Sequence, residues 1–339
     1  MNEDFTKRVR SIQPTGVRKM FDMAGDDVIS FGLGEPDFQP PPIAIEEFHK
    51  AMLDGRNKYT TTAGLPELRK VIAESWSDYD SNLDENNVCM TMSGTNALFN
   101  CFMALIEDLE KLVDENTKAI LYNFPSNPTG AMLSIEQRDE LLNFAVKHNL
   151  WIISDEVYDR IIYDGEHVSF IGTDYDRVLL INSFSKTFAM TGWRIGYILS
   201  PNLDAMTQVI KLQYYLAACS NDGMQYAVLA AFQKASKYPE QMALEFKERR
   251  DLICQRLNEM PGVSCHVPKG AFYVFPKVSI KGMNSEELAI ELLKGGVLCS
   301  PGSAFGKSGE GHLRFAYTIS KEDISKGMDK VEAVLKKLI

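Results

Sequence analysis

The side chains most able to do covalent chemistry stand in one stretch, residues 183–196, whose sequence is SFSKTFAMTGWRIG. Lys186 closely follows two serines, and Arg194 comes eight residues later. Residues 178–182 just before this stretch form a continuous apolar run that predicts a buried parallel strand. Lys186 is therefore expected at or just past the carboxyl end of that strand, where open α/β sheets bind their ligands.

These residue types suit an aldehyde that carries a phosphate. A lysine amine attacks a carbonyl group when it is neutral, and burial or a neighbouring cation favours that state. The hydroxyls of Ser183 and Ser185 and the guanidinium fork of Arg194 suit a phosphate dianion. Pyridoxal 5'-phosphate (PLP) is such an aldehyde. A lone lysine is more commonly an ordinary surface cation, so the prediction depends on the whole stretch.

The stretch resembles the cofactor-lysine signature of the class I/II aminotransferases, the aspartate aminotransferase family of fold type I. This resemblance implies an α/β fold with a large domain, in which a mainly parallel, seven-stranded type of sheet lies between helices, and a small α+β domain. We expect residues 1–42 to join the small domain, 43–240 to form the large PLP-binding domain, and 241–339 to form the small domain. After Tyr197 the chain is predicted to be mostly helical up to residue 260.

Three further apolar runs, each predicted to be a strand, end in polar residues. Residues 88–92 lead into Ser93, Gly94 and Thr95, which open a predicted helix, and free amides at such a terminus attract anions. A cap of this kind is common without any ligand. The resemblance implies that these three residues grip the cofactor phosphate.

The other two runs are residues 118–122 and 150–154. The first continues into a rigid proline-rich loop that contains Asn127, and the second is followed by Asp155 and, three residues later, Tyr158. An aspartate at a strand end is more commonly a helix cap. The resemblance implies that Asn127 and Tyr158 bond the phenolic oxygen of PLP and that Asp155 keeps its ring nitrogen protonated.

The resemblance also implies residues for the substrate and for a partner chain. Gly34, in the turn at 32–38, and Asn127 are expected beside the substrate, and Arg314 is expected to clamp its α-carboxylate in a bidentate contact. A tyrosine at the place of Tyr59 reaches the cofactor phosphate of a second copy in this family. We therefore expect a homodimer with shared active sites.

Composition limits the other possibilities. The chain has 339 residues, 45% of them hydrophobic, and a net charge of −10 without long charged runs, which argues against a nucleic-acid surface. Neither a membrane-spanning stretch nor a signal-peptide pattern is present, which favours the cytoplasm. The six cysteines show no CxxC spacing and are expected to be buried free thiols, and the five histidines show no metal-ligand pattern, so no metal site is predicted.

Together these observations predict a PLP-dependent aminotransferase that moves the amino group of an L-amino acid, aspartate or aromatic, to a 2-oxo acid such as 2-oxoglutarate. Lys186 is the expected catalytic residue, which carries the proton between the substrate and the cofactor. Two alternatives remain: a C–S lyase or eliminase of the same fold, and a non-catalytic PLP-binding module. The second is disfavoured because the chain has no basic extension and no helix-turn-helix segment.

In one place the chain departs from the family pattern. The helix predicted to begin at Thr95 runs directly into residues 107–113, whereas the family has several dozen more residues before the strand at 118, including an aromatic residue that stacks on the cofactor. The pattern fits one continuous amphipathic helix. The resemblance instead implies that residues are missing between Ile106 and Glu107, a position called the seam below. We expect a chain that lacks them to be at best a weak catalyst.

Overall fold

The structure is a computed structural model, and it describes residues 16–25, 27–56, 58–105, 117–278, 280 and 282–338. The chain divides into two compact units. The larger unit comprises Glu35–Glu245 and Lys269–Ala271, and the smaller unit comprises Met1–Gly34, Phe246–Pro268 and Phe272–Ile339. The sequence placed these divisions at 42/43 and 240/241, a few residues away from the ones observed at 34/35 and 245/246.

The helices and strands of the described residues alternate along much of the larger unit. The helices are α1 Gly16–Met23, α2 Pro42–Leu53, α3 Pro66–Glu74, α4 Gly94–Leu105, α5 Ile135–His148, α6 Phe184–Thr187, α7 Leu203–Ala217, α8 Asp222–Lys234, α9 Tyr238–Asn258, α10 Ser285–Lys294 and α11 Lys321–Leu338. The strands are β1 Ile29–Ser30, β2 Val88–Thr91, β3 Ala119–Asn123, β4 Trp151–Asp155, β5 Val178–Ser183, β6 Gly196–Leu199, β7 Val263–Ser264, β8 Tyr273–Val274, β9 Lys277–Val278, β10 Val297–Leu298, β11 Ser300–Pro301 and β12 Leu313–Ala316.

The larger unit is built on a sheet with the strand order β2-β6-β5-β4-β3. Strands β3, β4 and β5 are parallel, and β6 lies antiparallel between β5 and β2, so four of the five strands point the same way. The prediction of a mainly parallel sheet in an α/β fold is confirmed. Within the described residues, however, the sheet has five strands, not seven. The sequence also missed β6, because its four residues begin with a glycine, end shortly before Pro201 and resemble a turn.

Both faces of this sheet are covered by apolar side chains, which explains why the central strands lack polar alternation. All six residues of β5 are buried. Ile152 of β4 belongs to a core cluster with Trp76 and Phe170, whereas the next residue, Ile153, belongs to a second cluster with Ala97 of α4. Successive residues of β4 therefore face opposite layers, as the pleat of a strand requires.

The smaller unit combines short strands with helices. Strands β11, β12 and β8 form an antiparallel sheet, and β1 pairs in parallel with β10. Helix α10 begins with a capping box between Asn284 and Glu287, and the Ser320 hydroxyl accepts a hydrogen bond from the Asp323 amide (3.0 Å) at the start of α11. The mixture of strands and helices agrees with the expected α+β domain.

Local interactions also shape the larger unit. A capping box between Ser134 and Gln137 begins α5. The proline-rich loop after β3 contains two cis peptide bonds, Phe124-Pro125 and Asn127-Pro128. Of the six free cysteines five are buried, and Cys219 is partly exposed, which corrects the expectation for that residue. The seam lies outside the described residues, as does the helical continuation predicted after it.

Candidate active site

The carboxyl ends of β2, β3, β4 and β5 lie along one edge of the large sheet, because these four strands are parallel to one another. Asn123 ends β3, Asp155 ends β4 and Ser183 ends β5, and neighbouring strands pair Asn123 with Asp155. Ser93 follows β2 after one residue. The fold thus brings the predicted strand-end residues of the larger unit to a common edge.

A group of hydroxyls and amides lies where β5 meets the start of α4. The Ser93 hydroxyl accepts a hydrogen bond from the Asn96 amide (3.1 Å) at the beginning of the helix. A Cβ atom on Gly94 would lie 3.6 Å from the Ser183 Cβ, so the helix terminus and the serine are direct neighbours. The Ser183 hydroxyl in turn bonds the Ser185 hydroxyl (3.0 Å). Free amides and hydroxyls in one place fit a phosphate dianion.

Close packing at this point requires glycine. A Cβ on Gly196 of β6 would come within 3.0 Å of the Gly94 backbone nitrogen and within 2.8 Å of the Asn182 carbonyl oxygen. Any other residue would push the first turn of α4 away from β5. The position is therefore one that sets the spacing of the phosphate-binding groups.

Lys186 lies in the short helix α6, which Ser183 caps by accepting a hydrogen bond from the Ser185 amide (3.3 Å). Its neighbours Ser185 and Thr187 are buried, whereas the lysine is partly exposed. The helix turns the chain immediately after β5. As the sequence predicted, Lys186 therefore stands just past the carboxyl end of a buried strand.

Asp155 has an electrostatic environment unlike that of a surface aspartate. Burial raises the pKa of its carboxyl group to about 6; the Val157 amide opposes this rise by donating a hydrogen bond (3.4 Å), and the neighbouring Glu156 carboxylate adds to it. The carboxyl group is costly to ionise where it stands. A cation placed beside it, such as a protonated ring nitrogen, would favour the ionised form.

Asn127 is held by a residue to which sequence reasoning gave no role. The side-chain amide of Asn123 donates to the Asp155 carbonyl oxygen (3.1 Å), and its oxygen accepts a hydrogen bond from the Asn127 backbone amide (2.9 Å). Asn123 therefore ties the proline-rich loop to the end of β4. Its place at the end of a predicted strand was the only signal in the sequence. Tyr158 is buried one turn after Asp155.

Two predicted residues of the larger unit, Arg194 and Tyr59, have no side-chain hydrogen bond to this group among the described residues. Arg194 is exposed and has a left-handed backbone (φ 56°), and its guanidinium donates to the Thr191 carbonyl oxygen (2.8 Å) of its own turn. Tyr59 is 87% exposed and lines a cleft of about 560 Å³ with residues that include Met52 and Asp222. Neither position is tied to the strand ends by a contact described here.

The predicted substrate residues Gly34 and Arg314 lie together in the smaller unit. The Arg314 guanidinium donates to the Gly32 carbonyl oxygen (2.6 Å) and to the Ser300 hydroxyl (3.1 Å), so two neighbours fix its direction. Its cation also lies 4.8 Å from the centre of the Tyr273 ring. A Cβ on Gly34 would lie only 1.9 Å from the Tyr273 hydroxyl oxygen, so glycine is required there.

Arg314 is buried, and the aromatic ring of Phe305, 4.9 Å from its guanidinium carbon, lies against it as well. Sequence reasoning missed Tyr273 and Phe305, because neither is adjacent to the arginine in the chain. A rigid, aromatic-lined guanidinium is suited to a planar carboxylate. Arg314 and Gly34 belong to one unit, and the strand-end group belongs to the other.

Comparisons with known proteins agree with these observations. The family described as aminotransferase class I and II matches residues 26–108 and 102–331, two stretches that overlap around the seam. The chain is 38% identical to a probable aspartate aminotransferase of Methanocaldococcus jannaschii, covering 97% of this chain and 99% of that protein. It is 35% identical to aromatic-amino-acid aminotransferase 2 of Thermococcus litoralis, covering 97% of each.

Among solved structures, an aspartate aminotransferase of Thermus thermophilus, a single mutant, superposes with a TM-score of 0.91 at 28% identity, covering 98% of this chain and all of that one. The chain belongs to the class I and II aminotransferases of fold type I. It is a PLP-dependent aminotransferase. The hydroxyl and amide cradle at α4 and the partly exposed Asp155, whose pKa is raised, fit this cofactor.

Among the residues that the structure describes, no group of three or more His, Cys, Asp and Glu side chains could hold a metal ion. In the same residues, no helix is both long and apolar enough to cross a membrane.

Proposed function

We propose that this aminotransferase takes the amino group of L-aspartate or of an aromatic L-amino acid and gives it to 2-oxoglutarate. The observation that carries this proposal is the convergence of the strand-end groups at one sheet edge, with Lys186 among them. The choice of donors is supported by relatives that are called aspartate and aromatic-amino-acid aminotransferases.

In this proposal the chain holds PLP through three sets of contacts. Ser93, Gly94 and Thr95 at the start of α4, with Ser183 and Ser185, bind its phosphate, and Arg194 adds a positive charge to this cradle. Asn127 and Tyr158 bond the phenolic oxygen. Asp155 receives the ring nitrogen, whose proton relieves the cost of ionising a buried carboxyl group. Lys186 is the point of covalent attachment.

When bound, PLP withdraws electrons from the substrate Cα and so makes its proton removable. The chain supplies everything else. Arg314 binds the α-carboxylate of the amino acid, and the Gly34 backbone amide and Asn127 bond it as well, which fixes the substrate's orientation. The Lys186 amine takes the proton from Cα as a general base and later returns it. The same residues act in reverse on the second oxo acid, which gives ping-pong kinetics.

A half-reaction assay tests this function. The protein, loaded with PLP and supplied with one amino acid and no oxo acid, should yield one equivalent of 2-oxo acid and of pyridoxamine phosphate per site. A C–S lyase or eliminase would instead release pyruvate or ammonia repeatedly without forming pyridoxamine phosphate. A panel of amino donors then decides between aspartate and aromatic substrates, and equal inactivity with both would reject the proposed specificity.

We also propose a homodimer in the cytoplasm. The larger unit exposes Leu53, Tyr214 and Tyr215, which are close in sequence to the residues Met52 and Ala217 of the Tyr59 cleft, and exposed apolar side chains of this size favour a protein partner. The cysteines are free thiols, among them Cys254 and Cys265 whose sulfur atoms are 4.0 Å apart, which is typical of a reducing compartment.

Shared active sites can be tested by complementation. Lys186→Ala and Tyr59→Ala should each be weakly active or inactive alone, and a mixture refolded together should regain part of the activity, since one hybrid site is then intact. A mixture with no more activity than its components would argue against Tyr59 acting across an interface. Light scattering gives the mass of the particle independently.

A further inference from the structure

A buried acidic side chain lies directly beside Asp155 without a role in the proposed chemistry. The Glu156 side chain is 2% exposed and accepts hydrogen bonds from the hydroxyls of Ser154 (2.6 Å) and Ser169 (2.9 Å). Its other carboxylate oxygen lies 2.6 Å from the Nε2 atom of His167, whose side chain is 9% exposed. A buried carboxylate with this many partners is held in one position.

Strand geometry connects this cluster with Asp155. The Glu156 amide continues the β4–β5 ladder by donating to the Ile181 carbonyl oxygen (2.9 Å), so the pleat extends one residue past β4. Ser154 and Glu156 therefore point to one face of the sheet and Asp155 to the other. On the Glu156 face lies the layer that contains Trp76, and on the Asp155 face lies the start of α4.

The histidine is itself fixed on that far face. Its ring stands edge-on to the rings of Trp76 and Tyr79, with ring centres 6.2 Å away in each case, and the Tyr79 hydroxyl donates to its carbonyl oxygen (3.1 Å). Burial would lower the pKa of His167, but the Glu156 carboxylate and its hydrogen bond raise it above the ordinary value. The imidazole is therefore favoured in its charged form.

We propose that Glu156 and His167 form a buried, charge-neutral pair that positions Asp155 from the opposite face of the sheet. The pair fixes the direction of the last β4 residues. His167 also offsets part of the Glu156 charge, which by itself makes Asp155 harder to ionise. Both are positioning residues, and the inference rests on the role proposed above for Asp155.

The other charged groups around the pair do not provide the counter-charge for Glu156. The titratable and charged side chains that interact with Glu156, His167 or Asp155 are Tyr79, Tyr122, Asp159, Arg160 and Tyr197. Burial raises the pKa of the Tyr122 hydroxyl. Asp159 and Arg160 form their own ion pair (3.2 Å), and burial raises the pKa of the Tyr79 hydroxyl to about 12, so this group stays neutral. Burial likewise raises the pKa of Tyr197.

The proposed pair predicts a change in the titration of Asp155, and the direction of that change depends on which charges remain. In the His167→Gln variant the imidazole that faces the Glu156 carboxylate is removed, so the carboxylate is left without a counter-charge and the environment beneath Asp155 becomes more negative, which makes Asp155 harder to ionise. The titration midpoint of Asp155 should therefore move to higher pH than in the wild type. In the double variant Glu156→Gln/His167→Gln the charge is removed again, and the midpoint should return toward the wild-type value.

The midpoint is measured on the full chain without added PLP, by NMR of 13C-labelled aspartate carboxyl groups, with Asp155→Asn to assign the signal. The control is His148→Gln, a change of the same type at an exposed histidine, which should leave the midpoint unchanged. An unshifted midpoint in His167→Gln, or a double variant shifted as far as the single one, would overturn the proposal.

Failure to fold is also informative. If His167→Gln does not fold, the double variant is examined by thermal melting. A double variant that folds supports a charge-neutral pair. A double variant that is equally unfolded shows a role in packing only and overturns the proposal. None of these measurements involves the cofactor. Failure of the role of Asp155 itself would appear separately, as unchanged PLP affinity in Asp155→Asn.

Discussion

Asp155 should make the protein less stable until its cofactor is bound. Burial raises its pKa from the ordinary value of 3.8 to about 6, and at about 1.36 kcal/mol per unit this rise corresponds to about 3 kcal/mol. Since Asp155 keeps some exposure to solvent, we expect about 2 kcal/mol. Asparagine has the same shape and an oxygen for the Val157 amide, but no charge to bury. Asp155→Asn should therefore stabilise the cofactor-free protein at neutral pH.

The way in which the free energy of unfolding changes with pH follows from the linkage between proton binding and folding. Because the pKa of Asp155 is higher in the folded than in the unfolded chain, the folded chain binds the proton more tightly, and the stability of the fold falls as pH rises from about 4 through about 6. Below pH 4 both states are protonated and the cost vanishes. The difference between Asp155→Asn and the wild type should thus be near zero at pH 4 and fully developed above pH 7.

Urea unfolding at a series of pH values measures this difference. The three tryptophans, Trp76, Trp151 and Trp193, all belong to the larger unit, so their fluorescence reports the unit that contains Asp155. The exposed Asp174, changed to Asn, is the matched control and should give a flat difference.

At saturating PLP the wild type should become more stable than Asp155→Asn. A ligand that binds the folded state adds stability, and Asp155 is proposed to contribute to that binding. A difference that does not change between pH 4 and 8, or that grows toward acid, would refute the reasoning. So would an Asp155→Asn variant that PLP stabilises as much as it stabilises the wild type.

The other predictions concern the proposed contacts. Lys186→Ala should leave the fold intact and abolish both turnover and the covalent attachment of PLP; a borohydride-fixed lysine adduct detected by mass spectrometry would contradict the assignment. Arg314→Lys should raise KM for amino and oxo acids alike, about 10- to 100-fold, because a point charge replaces an oriented fork; an unchanged KM for both removes it from the substrate site. Gly34→Ala should lower the melting temperature and raise KM, since the new methyl group would displace the Tyr273 ring; wild-type values would show that the loop adapts freely.

The sequence predicted most of the larger unit because its strands are continuous apolar runs that end in distinctive residues. Residues 178–182 predicted a buried parallel strand, which is β5. By contrast β6, whose four residues begin with a glycine, is too short for periodicity to separate a strand from a turn. Propensity is least decisive in such segments, where pairing with neighbouring strands determines the conformation.

Contacts across the sheet could not be predicted for a different reason. Asn123 bonds Asp155 only because β3 and β4 are neighbours in register, and the chain alone does not give that register. Glu156 and His167 are eleven residues apart, and the loop between them decides whether they meet. Single residues at strand ends were therefore predictable, whereas the partners that orient them required the fold.

The residues that are missing at the seam affect strand β3, and both the comparison with a relative and the exposure of this strand indicate it. The alignment with the Methanocaldococcus jannaschii protein runs over 375 residues, more than the 339 residues of this chain, so that protein has positions that this chain lacks. Within the described residues β3 pairs only with β4, and Leu121 of β3 is 53% exposed although it lies in an apolar strand. An additional strand beside β3 would pair the open edge, and a helix packed on the face of the sheet would cover such a side chain. Since β3 carries Asn123, which orients Asp155 and Asn127, an unsupported edge strand would weaken the positioning of the proposed cofactor contacts before it affected the rest of the sheet.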